Sequence, residues 1–171
     1  MDITFDTELV PEVGYGIRST ELVKELCKET NSLIATVILF KKILHKHSLD
    51  KPFFGGINSY MLIMLTVAFL RASRITAIRK CFINMLEYYG KTFDVRRVAI
   101  VGGYLMPVYN RIGTLFISDP YRPHINIAGT VSKFNEIQAC FASYHDYLIK
   151  TKQDWYYEYN EDFQILNSII N

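Results

Sequence analysis

The sequence predicts a mainly α-helical fold with a short N-terminal strand and a small β-hairpin, and three observations carry that prediction. Apolar residues recur at three- and four-residue spacing, as in Leu33, Val37, Phe40 and Leu44. Residues that start and stop helices punctuate these segments, with Asn31, Ser32, Asn58 and Ser59 before them and Gly90 after one. Two extended stretches flank Gly102-Gly103, a two-residue hairpin turn.

The elements follow in order. Residues 2–6, with Ile3, Thr4 and Phe5, alternate as a strand does. A loop carrying Pro11, Gly14 and Gly16 comes next, and Ser19 or Thr20 then caps a helix to about Thr30. Asn31 or Ser32 caps a second helix, whose Lys41, His45 and Lys46 lie on the side away from its apolar face. A Gly55-Gly56 loop leads to Asn58 or Ser59, either able to cap a long apolar helix to Leu70. A further helix over 75–89 ends at Gly90, and strands over 95–101 and 104–109 form the hairpin. A short strand at 115–117 precedes an Asp119-Pro120 break, and helices near 132–150 and 161–170 finish the chain.

The bulk numbers bound the class. The 171 residues are half hydrophobic, with twelve Tyr and eleven Phe, enough for one folded domain with a sizeable core. A net charge of +2 does not by itself argue for a polyanion partner, but it leaves room for a local basic groove. Cys27, Cys81 and Cys140 are far apart and form no CxxC pair, which predicts buried free thiols in a reducing compartment. The N-terminus has no basic segment followed by an apolar core, so no secretory signal is expected there. The stretch from Pro52 to Leu70 is free of charge, but it opens with Phe-Phe-Gly-Gly and is densely apolar only over 61–70. A buried helix suits it better than a membrane span, and no membrane partner is expected.

Three segments, in this order and spacing, resemble the central domain of non-canonical poly(A) polymerases and uridylyl transferases, the polymerase-sigma-like branch of terminal nucleotidyltransferases. The first is Lys41 followed by Gly55-Gly56-Ile57-Asn58-Ser59-Tyr60 and a long apolar helix. The second is Glu87-Tyr88-Tyr89-Gly90-Lys91-Thr92-Phe93, like the family's E-x-Y-G-x-x-F ahead of a Gly-Gly hairpin. The third, over 115–128, contains Ser118-Asp119-Pro120-Tyr121-Arg122-Pro123 and Asn126-Ile127-Ala128, like the nucleotide-recognition (PAP-associated) segment. Met1-Asp2-Ile3-Thr4-Phe5-Asp6 resembles the palm strand that carries the third catalytic carboxylate, and Asp2 matches that position. The resemblance therefore implies one domain over 1–171, with 1–6 a remnant of the palm and 17–171 the helical central domain.

The resemblance also implies a chemistry. Two metal ions, Mg²⁺ or Mn²⁺ in a complete enzyme, are held by three carboxylates and the nucleotide triphosphate, and they assist attack by the 3′-hydroxyl of RNA. Asp2 is the only one of the three acids matched, since the chain has no Gly-Ser loop followed by Asp-x-Asp. Taken alone it is an ordinary acid near a terminus. The other two are expected upstream or on a separate catalytic domain, so the chain alone is expected to be inactive. Lys41 matches the lysine that reaches the triphosphate, and His45, one turn on, stands where uridylyl relatives carry a second lysine. Without the resemblance both are a solvated helix end. Ser59 matches a phosphate donor, and Tyr60 matches the aromatic that stacks on the base, a contact worth about 1–3 kcal/mol; otherwise they read as a helix cap and a core residue. Asp119 and Asn126 match the base-edge readers, although an Asp-Pro turn closed by its own side chain gives the same pattern. Ser118 replaces the usual Glu, and Ile125 stands where uridine readers often place His, which favours ATP over UTP. Ser19 falls where relatives hold the ribose. The cluster Trp155-Tyr156-Tyr157-Tyr159 could stack RNA, but it reads better as the packing edge of the last helix.

Three function classes follow. One is the ATP-binding central domain of an RNA 3′-end nucleotidyltransferase acting in RNA surveillance or processing. Its partners would be ATP, an RNA 3′ end and an RNA-binding protein or separate catalytic domain, and its location intracellular, nuclear ahead of cytoplasmic. The second is a pseudo-enzyme that binds nucleotide or protein without chemistry, and the third, resting only on the charge-free run at 52–70, is a small helical membrane protein.

Overall fold

The structure, a computed structural model, describes residues 15–109 and 113–155. Asp2, the strand expected at 2–6, the helix near 161–170 and the aromatics after Trp155 lie outside the described residues. The chain divides into two compact units, Met1–Asn31 and Ser32–Asn171.

The described part of the first unit is one helix, α1 (Tyr15–Glu29). It begins before Ser19 and Thr20, which therefore sit inside the helix and do not cap it.

The second unit is mainly helical with one hairpin, as the sequence predicts. Its described elements are α2 (Ser32–Lys46), α3 (Ser59–Ser73), α4 (Ile78–Glu87), β1 (Val98–Val101), β2 (Tyr104–Pro107) and α5 (Phe134–Trp155). Leu33, Val37, Phe40 and Leu44 are all buried, so the apolar stripe of α2 is the core face. At the centre, the Phe40 ring meets Phe82 of α4 at 5.1 Å and Phe141 of α5 at 4.9 Å, both edge to face. Burying each such ring contributes about 1.5–3 kcal/mol. No single helix among the described residues is long and apolar enough to cross a membrane; the charge-free run at 52–70 is a turn followed by α3, whose inner face is core.

The E-x-Y-G-x-x-F segment is built differently from the expected helix stop. α4 continues past Glu87 into a π-helical turn, Tyr88–Thr92, which runs through Gly90. Tyr89 is fully buried, and its hydroxyl donates to the carbonyl of Leu65 on α3 at 2.8 Å. Burial pushes its pKa well above the usual tyrosine value. Gly90 lies against the backbone of α5, where a Cβ would come within 2.5 Å of the Ala142 nitrogen. Gln138 of α5 donates to the carbonyls of Tyr89 at 3.0 Å and Phe93 at 2.9 Å, satisfying groups that the widened turn leaves open. Gly90 is thus a close-packing glycine, which a stop signal does not distinguish in sequence.

The hairpin pairs Val98 with Pro107 through Val101 with Tyr104, and Gly102 and Gly103 both take positive φ, 57° and 76°. Residues 115–117 add to β1 through a single parallel bridge, Ile100 with Ile117, in place of the full strand expected. The three cysteines are free, but only Cys81 is buried; Cys27 and Cys140 are half-buried. Burial still raises the Cys140 thiol to about 11.

Candidate nucleotide site

Ser19 belongs to the first unit, and the other described site positions belong to the second. Lys41 and His45 project from the exposed side of α2, one turn apart. His45 Nδ1 sits 2.7 Å from Asp50 Oδ2, tying the helix end to the loop that follows. Burial raises the Asp50 carboxyl, but the His45 hydrogen bond and the neighbouring charges of His45 and Lys51 hold it below the usual carboxylate value.

From Leu49 the chain turns back on itself. Ile57 N–H donates to Leu49 C=O at 2.8 Å, and a 3-10 turn, Pro52–Phe54, fills the interval. Gly55 takes φ 83°, and a side chain there would collide with Ser132. Gly56 lies so close to the Leu49 carbonyl that it has no room for a Cβ. The loop delivers Asn58 to the N-cap of α3, where its side chain accepts from Met61 N–H at 2.8 Å. The cap is therefore Asn58, and Ser59 opens the helix as an exposed hydroxyl at its positive end. Tyr60, beside it, is half-buried.

The segment 115–128 folds into a closed loop held by its own polar groups. Asp119 is fully buried, and its carboxylate accepts from Tyr121 N–H at 2.9 Å and Arg122 N–H at 3.2 Å. The Arg122 guanidinium meets its other oxygen at 3.3 Å. The Asn126 side chain accepts from Ile117 N–H and Ala128 N–H, each at 3.0 Å, and donates to Leu115 C=O at 2.8 Å. Both matched base-edge positions thus build the loop. Asp119 is committed to the turn with its carboxylate filled on both oxygens, whereas half-buried Asn126 keeps a second amide proton beyond its bond to Leu115. Ser118 Oγ accepts from Gly102 N–H at 3.1 Å, so the residue standing for the family's Glu locks this loop to the hairpin.

The three regions adjoin through backbone. Lys133 N–H donates to Gly55 C=O at 3.0 Å, which joins the chain leaving the 115–128 loop to the turn before Ser59. α2 packs on α3, and the Leu49 to Ile57 bond fixes the end of α2 beside the start of α3. Among the described residues no group of three His, Cys, Asp or Glu could hold a metal ion.

No protein-family model matches the chain. It is 27% identical over 108 residues to the inactive non-canonical poly(A) RNA polymerase protein Trf4-2 of Drosophila melanogaster, over 58% of this chain and 25% of that protein. It is also 27% identical over 152 residues to the poly(A) RNA polymerase cid14 of Schizosaccharomyces pombe, over 78% of this chain and 22% of that one. Its relatives are non-canonical poly(A) RNA polymerases. The fold agrees: the polymerase core of TRAMP, an RNA surveillance complex, superposes with a TM-score of 0.78 at 24% identity, covering 94% of this chain and 57% of that one. The chain thus spans about a quarter of the curated poly(A) polymerases it matches.

One feature of the site had no role in the sequence reading. Phe53 is 93% exposed, next to Phe54 at 59%. Its signal was visible: two aromatics between Pro52 and Gly55-Gly56, too short an interval for an α-helix or a strand to bury them.

Proposed function

We propose that this chain is the nucleotide-binding central part of a template-independent RNA 3′-end nucleotidyltransferase that adds AMP from ATP. One observation carries the reading. The Gly55–Tyr60 loop and helix start, with Lys41 and His45 on the neighbouring helix, occur in a fold shared with a polymerase core over 94% of the chain. In this reading Lys41 and His45 face the triphosphate, and Ser59 Oγ at the positive end of α3 donates to a phosphate oxygen. Tyr60 stacks on the base, Asn126 offers its amide to the base edge, and Asp119 holds the loop that carries Asn126. Mg²⁺ or Mn²⁺ and two further carboxylates would be supplied with a catalytic domain, and Asp2 would be the third acid. The RNA 3′ end, a protein partner and a nuclear location in RNA processing go with the same reading.

Isothermal titration of the purified chain with ATP and UTP tests it. ATP should bind more tightly than UTP; Lys41→Ala, at an exposed position, should weaken it several-fold while melting like the parent, and Tyr60→Ala should weaken it several-fold at a temperature where the variant is still folded. Absence of ATP binding would remove the reading. A second reading, a nucleotide- or protein-binding pseudo-enzyme, is favoured by one specific fact: the Drosophila relative is itself named as inactive. The two separate when an intact relative's catalytic domain is fused to the chain, because only the first then extends an RNA primer.

A further inference from the structure

We propose that the Phe53–Phe54 turn is a stacking platform for single-stranded RNA on its way to the nucleotide site. The proposal rests on the nucleotidyltransferase reading and adds to it a defined RNA contact. Single exposed apolar side chains need no explanation, but this pair differs in two respects. Two adjacent rings are exposed together, with centroids 5.2 Å apart and planes at 90°. They also stand on a turn that is fixed. Phe54 N–H and Gly56 N–H both donate to Lys51 C=O at 3.0 Å, Gly55 N–H donates to Pro52 C=O at 3.0 Å, and Lys133 N–H fastens Gly55 from the other side. A turn held this way has paid its backbone ordering entropy in advance, so that a flat partner lying on the rings need order only their side chains.

The charges around the turn choose the partner. Residues 41–54 contain four lysines, two histidines and a single acid, Asp50, which is already tied to His45. Lys51 is exposed at the start of the turn, and the aliphatic stem of Lys133 lies beside Gly55 at its end. Aromatic rings interleaved with cations suit a polyanion with flat bases, where rings stack and lysines follow the phosphates. The turn also leads directly into Asn58 and Ser59, so a strand stacked on Phe53 would end beside the start of α3.

Fluorescence anisotropy with a fluorescein-labelled single-stranded oligo(A) RNA and the full chain, over a range of salt, tests this. Phe53→Ala should raise Kd by roughly five- to a hundred-fold, and Phe53→Trp should restore it. The ring is exposed, so neither variant should alter folding. The slope of log affinity on log salt should be unchanged in Phe53→Ala and shallower by about 0.7 in Lys51→Ala, which removes one phosphate contact. ATP titration of the same samples keeps the two readings apart. RNA affinity indifferent to Phe53 in a chain that binds ATP overturns the platform, leaves the nucleotide reading standing and assigns the turn to a protein surface. A chain that binds neither RNA nor ATP overturns both.

Discussion

Replacing Gly90 with alanine tests the account of the π-helical turn. The added methyl would lie 2.5 Å from the Ala142 nitrogen, 2.9 Å from its Cα and 3.0 Å from the Phe141 carbonyl carbon. Non-bonded carbon contacts settle near about 3.5 Å, so the turn and α5 must part by roughly half to one ångström. No rotamer change relieves the contact, because all three atoms are backbone. The strain falls on Phe141, packed at 4.9 Å against Phe40, and on the two hydrogen bonds from Gln138. Overpacking of this kind costs about 1–3 kcal/mol, and the better helix propensity of alanine returns up to about 1 kcal/mol. A net loss of about 1–2 kcal/mol corresponds to a fall in Tm of roughly 2–8 °C for a chain of this size. Thermal melts followed by circular dichroism measure it, with Gly102→Ala as comparator. That position has nothing within 4 Å of its added methyl but has φ 57°, so its cost is conformational, and Gly102→Asn should recover much of it. For Gly90 asparagine should be worse than alanine. A Gly90→Ala protein that melts at or above the parent temperature would refute the close-approach argument.

Two further outcomes follow from single contacts. Asp119→Asn keeps an acceptor for Tyr121 N–H and Arg122 N–H but turns an amide toward the guanidinium in a fully buried position, so it should cost about 1–3 kcal/mol in a urea titration; a variant within error of the parent would show the carboxylate to be dispensable. Asp50 is a lowered carboxyl, so its folded pKa lies below its unfolded one and its contribution is full above the unfolded value and lost as pH falls through the folded one; the urea midpoints of the parent and Asp50→Asn should therefore converge toward pH 3, and a gap that stays constant between pH 7 and pH 3 would contradict the His45 pairing.

The parts of the fold that were legible in sequence are those governed by local period. The stripe of α2, the Gly102-Gly103 turn and the capped start of α3 each follow from neighbours within a few residues, and each stands where the pattern put it. The π-helical turn was not legible, because nothing local says that Gln138 will reach back to two carbonyls some 45 residues earlier. Of the candidate site, the exposure of Lys41, His45 and Ser59 follows from helix faces. The roles of Asp119 and Asn126 could not be decided from the motif, since an Asx turn and a base reader use the same residue types. Phe53 differs again: its place between Pro52 and Gly55-Gly56 was readable as a loop, but a phenylalanine is assigned to the core by default, and the geometry puts its ring almost wholly in water.

Base choice follows from how the 115–128 loop spends its polar groups. A specific reader must leave a donor or acceptor unsatisfied until the right base arrives, because discrimination comes from groups that the wrong base leaves unpaired. In this loop few such groups remain. Asp119 is filled, Ser118 is bound to the hairpin, and Ile125 has given its N–H to Arg122 and its carbonyl to Asp119 N–H, leaving only an apolar side chain. The position at which uridine readers gain a histidine therefore offers no polar group. Of the two matched base-edge residues, Asn126 alone keeps an open group, its second amide proton, a donor on a rigid support, and in the proposed reading Tyr60 supplies the face on which the base stacks. A single donor is met by a ring nitrogen of adenine or by a carbonyl of uracil, so the lead of adenine over uracil rests on its larger ring over the aromatic face. The preference expected from that difference in stacking is modest, a fraction of the about 1–3 kcal/mol that a stacked base contributes, or a few-fold in affinity. An ATP-to-UTP ratio of a hundred or more would have to come from groups outside this loop, and a ratio that survives Asn126→Ala unchanged would show that the loop does not read the base.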